Sequence, residues 1–403
     1  MAKTQTLTFK RTVNAKPTDV YRAFTNSTIM REWFCDAALA DPHKGGRIYA
    51  WWNSGFYASG EYLSVTPDKK VVFSWNGRGE PAPTQVQVSI AEKKGGTVVT
   101  VSHNGAGSGK PWAKTIKEIG EGWEQSLENL QSTLEAGEDL RISRRPMLGI
   151  TLSDFNTEVA KKLGVPVTEG IRLDGTLEGM GARAAGLQKD DVIVGMAGKK
   201  ITGFPSLAGA LQGRRAGDRV AVKFYRGKKL ETVTMELSRR PLPPIPATAA
   251  ELSEAVRKMY AELDVELEKC LEGVTEAEAS FKPAPDEWSA KDVVCHLLAG
   301  ERDGHGFVAE TIMGVMRYYD GFGENVEARH KALMAVFPTY RALLDEYKRA
   351  EAETVALLAA IPPEVAARKS SWWQLCYNTL QPPIHTQRHF EQIRAAIAAA
   401  RKK

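Results

Sequence analysis

Long apolar runs are missing from this chain. No stretch of about 18 apolar residues occurs among its 403, so no membrane-spanning helix is expected. Cysteine is scarce, with only Cys35, Cys270, Cys295 and Cys376. Four in a chain of this length exclude a disulfide framework and point to a reducing cytoplasm. The first residues, MAKTQTLTFKRTV, lack an apolar core segment and alternate polar with apolar. They predict a first β-strand and not a signal peptide. Strong charge is lacking too: the net charge is +5, made of +4 over residues 1–146, +6 over 147–240 and −5 over 241–403. The basic excess has no aromatic interleaving, so no nucleic-acid partner is expected.

Apolar residues make up 43% of the chain, enough for ordinary packed cores. At roughly 100–200 residues per domain the length suggests two to four domains. Two proline-bearing seams divide it, EDLRISRRPM at 138–147 and SRRPLPPIPATAAEL at 238–252. The clustered prolines of the second disfavour helix and favour extended chain. The expected domains are 1–140, 147–240 and 248–403.

In the first of these, residues 5–13 alternate like a strand, and KPTDVYRAFTNSTIMREWF reads as short helices. Five strand-like runs follow. Pro111 then opens a long helix on which Trp112, Ile116, Ile119, Trp123, Leu127, Leu130 and Leu134 form one apolar stripe. The glycine-rich run HNGAGSGKPW at 103–112 fails the phosphate-loop pattern, because Asn104 replaces the first glycine and Pro111 the magnesium-binding hydroxyl. It is expected to be a flexible loop. The order strand, two helices, antiparallel sheet and long closing helix is a helix-grip arrangement. Through TVNAKPTDVYRAFTN, REWF and GWEQSLENLQSTLE it resembles the START-like (SRPBCC) superfamily, in the branch of activators of the heat-shock-protein ATPase. The resemblance implies an apolar cavity under the helix and an apolar small-molecule ligand. Trp51, Tyr57, Trp75 and Trp123 are its candidate walls, with plain core filling as the other reading.

The middle segment carries ARAAGLQKDDVIVGMAGKKI, which closely resembles PDZ domains of the bacterial HtrA type. In such domains a loop offers backbone N–H groups to a peptide's C-terminal carboxylate, and the peptide adds as a strand to the sheet edge. The resemblance assigns the carboxylate loop to Met147, Leu148, Gly149 and Ile150. It assigns the opposite wall to a helix near Ser206 with Leu207, Ala210 and Leu211. The implied partner is a protein or peptide C-terminus; the alternative is a PDZ fold used as a spacer. No GNSGG-like segment accompanies it, so proteolysis is not implied.

The last segment is helical in pattern. ELSEAVRKMYAELDVELEKCLEGV is amphipathic. A second helix starts after Ser289, with Asp292 completing a capping box and Trp288 poised to staple against Val293. A third runs through Pro338, where a kink or break is expected. A fourth starts at Pro382–Pro383 and carries His385 and His389. Residues four apart share a helix face, so both imidazoles can reach one ion. Ile393 and Ala396 continue that face, which reads as buried. An unsatisfied polar group there costs roughly 1–3 kcal/mol. DEWSAKDVVCHL and HTQRHFEQI resemble the DinB-like four-helix-bundle family, which implies a divalent metal on three histidines. By position these are His296, His385 and His389, with hydrogen-bonded core histidines as the alternative. His305 and His330 lie outside the motifs and read as structural or surface residues.

Three imidazoles leave an open coordination position, the arrangement of catalytic sites. Zinc is the first expectation, with nickel, manganese or iron also compatible. The family resemblance further implies a low-molecular-weight thiol as a partner and homodimers as an assembly. Cys295 points about 100° away from His296 on a helix, and Cys376 precedes the last helix. No general base is identified; Glu301 lies about 140° round from His296.

The expected fold is therefore multidomain α+β: a helix-grip domain, a PDZ β-barrel-like domain and an all-α four-helix bundle. The leading functional reading is a cytoplasmic binding or adaptor protein with a real metal site. The alternative is a metal-dependent thiol transferase, isomerase or hydrolase.

Overall fold

The structure, a computed structural model, describes residues 4–285, 287–315 and 326–403. It forms two compact units, one of Met1–Ala50, Ala58–Glu138 and Leu242–Lys403, the other of Trp51–Tyr57 and Asp139–Pro241. Among the described residues no helix is long and apolar enough to cross a membrane.

The N-terminal part runs β1 (Gln5–Val13), α1 (Pro17–Thr25), α2 (Ser27–Trp33), β2 (Ala37–Ala40), β3 (Arg47–Trp51), β4 (Tyr57–Thr66), β5 (Lys70–Gly77), β6 (Thr84–Lys93), β7 (Gly96–Ala106) and α3 (Lys110–Ala136). Its sheet has the order β1-β7-β6-β5-β4-β3-β2. Pro17 starts α1 with a preset φ, and Asn26 separates it from α2 by accepting from the Ile29 amide at 3.0 Å. The apolar stripe of α3 buries Trp112, Ile119, Trp123, Leu127 and Leu130. The stretch expected to be a loop from His103 is instead strand as far as Ala106. It pairs with β6 and β1 on either side, and this tertiary pairing overrides the glycine-rich local sequence. Gly137 ends α3 at φ +78°. A Cβ there would lie 2.1 Å from the Lys369 carbonyl oxygen, so the position requires glycine twice over.

After a one-turn helix α4 (Leu140–Ser143), the middle segment runs β8 (Ile150–Ser153), α5 (Thr157–Leu163), β9 (Ile171–Thr176), α6 (Gly181–Ala184), β10 (Val192–Met196), β11 (Lys199–Lys200), α7 (Phe204–Leu211), β12 (Arg219–Arg226) and β13 (Lys229–Glu236). The sheet order is β13-β12-β10-β9-β8, with β11 beside β10. Strand β8 is thus an edge of this path. Asp191, 1% exposed, accepts from Arg226 at 2.8 and 2.7 Å and from the Gln188 amide at 2.8 Å. The turn before β10 is therefore anchored by a buried, fully partnered ion pair.

The C-terminal part runs α8 (Ala249–Leu271), α9 (Glu276–Ala279), α10 (Ala290–Met313), α11 (Val326–Val336), α12 (Tyr340–Ala359), α13 (Pro363–Ala366), α14 (Lys369–Thr379) and α15 (Ile384–Ala400). The long helices α8, α12, α10 and α15 pack in a ring, α8 against α12 and α15, and α10 against the same two. The capping box at Ser289 and Asp292 forms as the sequence predicts. Pro338 breaks the expected third helix into α11 and α12, and Thr339 caps the second part. Helix α14 was not expected; it buries Trp372, Leu375 and Cys376 in an apolar cluster with Leu252, Val256 and Val308.

Candidate functional site

Helix α10 presents His296, and the first turns of α15 present His385 and His389. One ligand nitrogen from each lies within 4.8 Å of the others. The Nε2 atoms of His385 and His389 are 3.1 Å apart. The ring centroids are 4.3 Å apart for His385–His389, 4.8 Å for His296–His389 and 5.5 Å for His296–His385. Side chains at i and i+4 on α15 meet as expected, but the face is less buried than its sequence suggests. His385 is exposed and His389 half-buried, and burial becomes complete only at Phe390 and Ile393. The site opens to solvent at its His385 side because it sits at the start of the helix.

His389 Nδ1 lies 3.0 Å from Gln392 Oε1. A carbonyl oxygen only accepts, so Nδ1 carries the proton and the Nε2 lone pair faces the other histidines. Burial holds His296 and His389 neutral, each lowered to about 4, with the neighbouring imidazoles adding to the effect for both. Neutral imidazoles are the form that ligates a metal. Three converging nitrogen donors, one oriented by an outer amide, fit a borderline divalent ion such as zinc.

Two aromatic neighbours escaped sequence reasoning. Trp288, expected only as a staple, places its ring 5.0 Å from His296, 5.2 Å from His330 and 6.2 Å from His389. His330, read as structural or surface, is 8% exposed and lies 6.0 Å from the His296 ring. No motif marks His330, because α11 brings it in only through tertiary packing. His305 is structural, with Nε2 2.9 Å from the Ala350 carbonyl oxygen. Cys376 does not approach the histidines: it is fully buried in the other apolar cluster, and burial pushes its thiol up to about 12. Cys295 faces the His330 carbonyl, its thiol pushed up to about 11 by burial. Glu301 accepts from Tyr260 at 2.8 Å and from Thr354, away from the triad.

In the PDZ-like segment, Leu148 and Leu207 are buried, and Ile150 and Leu211 half-buried, within one apolar cluster that spans β8 and α7. The Met147 amide donates to the Ser238 carbonyl at 2.9 Å, so it is committed within the fold. Gly149 has φ +73°, and a Cβ there would lie 2.2 Å from Met180 Cβ.

In the helix-grip part, Trp75 and Trp123 are buried 6.2 Å apart, and Trp123 stacks on Phe34 at 5.3 Å. Trp51 is half-buried and Tyr57 is 38% exposed. His103, fully buried on β7, accepts at Nδ1 from Trp123 Nε1 at 3.1 Å and lies 2.7 Å through Nε2 from Thr84 Oγ1. The indole only donates, so the proton of His103 sits on Nε2 and both nitrogens are satisfied.

Three family models match the chain. Residues 14–135 match the activator of Hsp90 ATPase homolog 1-like protein, residues 146–237 the PDZ domain, and residues 259–393 the DinB superfamily. A probable periplasmic serine protease of Haemophilus influenzae is 30% identical over 113 residues, 28% of this chain and 23% of that protein. The serine protease Do-like HtrA of Lactococcus lactis is 35% identical over 116 residues, 28% of each protein. The chain thus spans about a quarter of the length of these curated relatives. A solved protein structure from Mesorhizobium loti is 22% identical and covers 32% of this chain and 96% of its own, with a TM-score of 0.30. The chain therefore carries three domains in sequence: an Hsp90-ATPase-activator-homologue domain of helix-grip type, a PDZ domain and a DinB-superfamily helical domain.

Proposed function

We propose that this chain is a cytoplasmic adaptor that binds a divalent metal in its helical domain, a peptide C-terminus in its PDZ domain and an apolar small molecule in its helix-grip domain. The observation that carries the metal assignment is the convergence of His296, His385 and His389, with Gln392 fixing the tautomer of His389. These three would hold the ion, and the open position would bind water or a thiol and lower its pKa. Edge strand β8 supports the peptide reading, because among the described strands it pairs only with β9 and leaves its other side for an added strand. The carboxylate then falls to the amides of Leu148, Gly149 and Ile150, without Met147. Trp75 and Trp123 supply aromatic surface for the apolar ligand.

The metal-dependent thiol transferase or hydrolase reading shares the same triad and differs in requiring a substrate at the open position. Elemental mass spectrometry of the purified full chain, beside a His385→Ala, His389→Ala double variant, tests the site. About one divalent metal per chain, lost in the variant, is the expected result. Absence of metal from the parent, with the variant merely less stable, would make the histidines structural residues. Turnover of a thiol-dependent reaction by the loaded parent, absent in the variant, would favour the enzyme over the adaptor.

A further inference from the structure

The interior of the helical domain is not continuously apolar. One buried cluster contains Leu263, Leu267, Leu298, Leu343 and Phe390, and a second contains Leu252, Val256, Val308, Leu358 and Trp372. Between them in sequence on α8, α10 and α12 fall Tyr260, Glu301, Glu351 and Thr354, with Asp264 and Tyr347 at the border of the first cluster. The hydroxyls of Tyr260 and Thr354 both donate to Glu301 Oε1, so their protons are committed. Glu351 is 3% exposed, yet neither of its oxygens, nor Oδ1 of Asp264, has a donor at full hydrogen-bond distance; the Tyr347 hydroxyl, one turn earlier on α12, interacts with Glu351 more loosely.

The groups facing Glu351 are Asp264 from α8, Glu301 from α10, and Tyr347 and Lys348 from α12, with Tyr260 next to Glu301. Lys348 is the one cation in this set, and it engages Glu268. A buried carboxylate beside a half-buried one does not ionise cheaply, and a buried charge without a partner costs far more than a protonated carboxyl. Asp264 and Glu351 interact across the packing of α8 on α12. Two carboxylates form a hydrogen bond only when one of them carries a proton.

We propose that Asp264 and Glu351 hold one proton between them, so that the middle of the bundle is a proton-binding site that latches α8 to α12. In the closed latch the Glu351 hydroxyl donates to the Asp264 carboxylate. At alkaline pH the proton leaves to hydroxide as water, and two like charges remain side by side, with Lys348 already engaged by Glu268. Burial, with the Asp264 charge second, pushes Glu351 up to about 8. A carboxyl group raised in the folded state contributes its full stability below its unfolded value and loses it as pH rises to the folded value.

The test is urea unfolding of the full chain between pH 6 and pH 9 in the presence of a chelator, for the parent and for Glu351→Gln. In the parent the unfolding constant rises about tenfold per pH unit up to about pH 8 through this one proton, and levels off above. In Glu351→Gln that component is gone. Infrared spectra of the parent near pH 6 show a protonated-carboxyl band that is absent in Glu351→Gln and at high pH. Because the band is read on the parent, it decides the matter even if the variant fails to fold. Parallel pH profiles, or no such band in the parent, overturn the proposal. So does stabilisation by calcium or manganese that Glu351→Gln abolishes, since a cation would then occupy the proton's place.

Discussion

Gln392 Oε1 lies 3.0 Å from Nδ1 of His389 and thereby decides which nitrogen of that ring faces His385 and His296. A partner of this kind fixes ring orientation and tautomer, and its loss typically weakens metal affinity about 10–100-fold. Gln392→Leu is expected to bind zinc that much more weakly while unfolding in urea close to the parent. Competition with a chromophoric chelator measures it. An unchanged affinity would mean that His389 is oriented by its helix alone.

His103 predicts how the helix-grip domain responds to acid. The ring is buried and held neutral, lowered by desolvation to about 4, whereas an unfolded histidine titrates near about 6.5. The unfolded chain therefore binds the extra proton between these values. The contribution of His103 is fully present above about pH 6.5 and is lost as pH falls through 4, roughly 3 kcal/mol in all. Tryptophan fluorescence during urea unfolding reports it, because Trp123 donates to this ring. A His103→Gln variant is expected to have a flatter profile over the same range.

Gly149 separates conformation from contact in the PDZ domain. Its φ of +73° and the 2.2 Å approach of Met180 Cβ both oppose any side chain. Gly149→Val is expected to weaken binding of a peptide with a free C-terminus more than 10-fold, by the steric and φ > 0 costs together. The same peptide with an amidated C-terminus is expected to bind neither protein. Fluorescence anisotropy with both peptides measures this. Equal binding of the amidated peptide would show that the loop does not read the carboxylate.

The cysteines are expected to be inert in the native state. All four are buried, and burial raises Cys295 to about 11 and Cys376 to about 12. A thiol reacts through its thiolate, which these hold at vanishing levels near neutral pH. Timed alkylation and intact-mass measurement should find Cys295 and Cys376 unmodified until denaturant is added. Fast labelling of either would restore it as a candidate nucleophile.

Local chemistry was legible wherever a pattern is short-range. The capping box of Ser289 and Asp292, the stripe of α3, the break at Pro338 and the pairing of His385 with His389 each follow from spacing along one helix. The strand over His103–Ala106 was not legible, because glycines argue for a loop and only neighbouring strands β1 and β6 supply the pairing that overrides them. Helix α14 was missed because its side chains are buried on several faces and leave no 3.6-residue period.

The sequence by itself determined the three modules and named the three residues of the histidine cluster, since motifs and helical periodicity are properties of contiguous chain. Tertiary structure alone decided the rest. It set the solvent opening beside His385, the approach of Trp288 and His330, and the commitment of the Met147 amide to Ser238. It also brought Asp264 and Glu351 together from separate helices. Burial and the pairing of distant groups depend on which helix faces meet, and no short-range pattern encodes that.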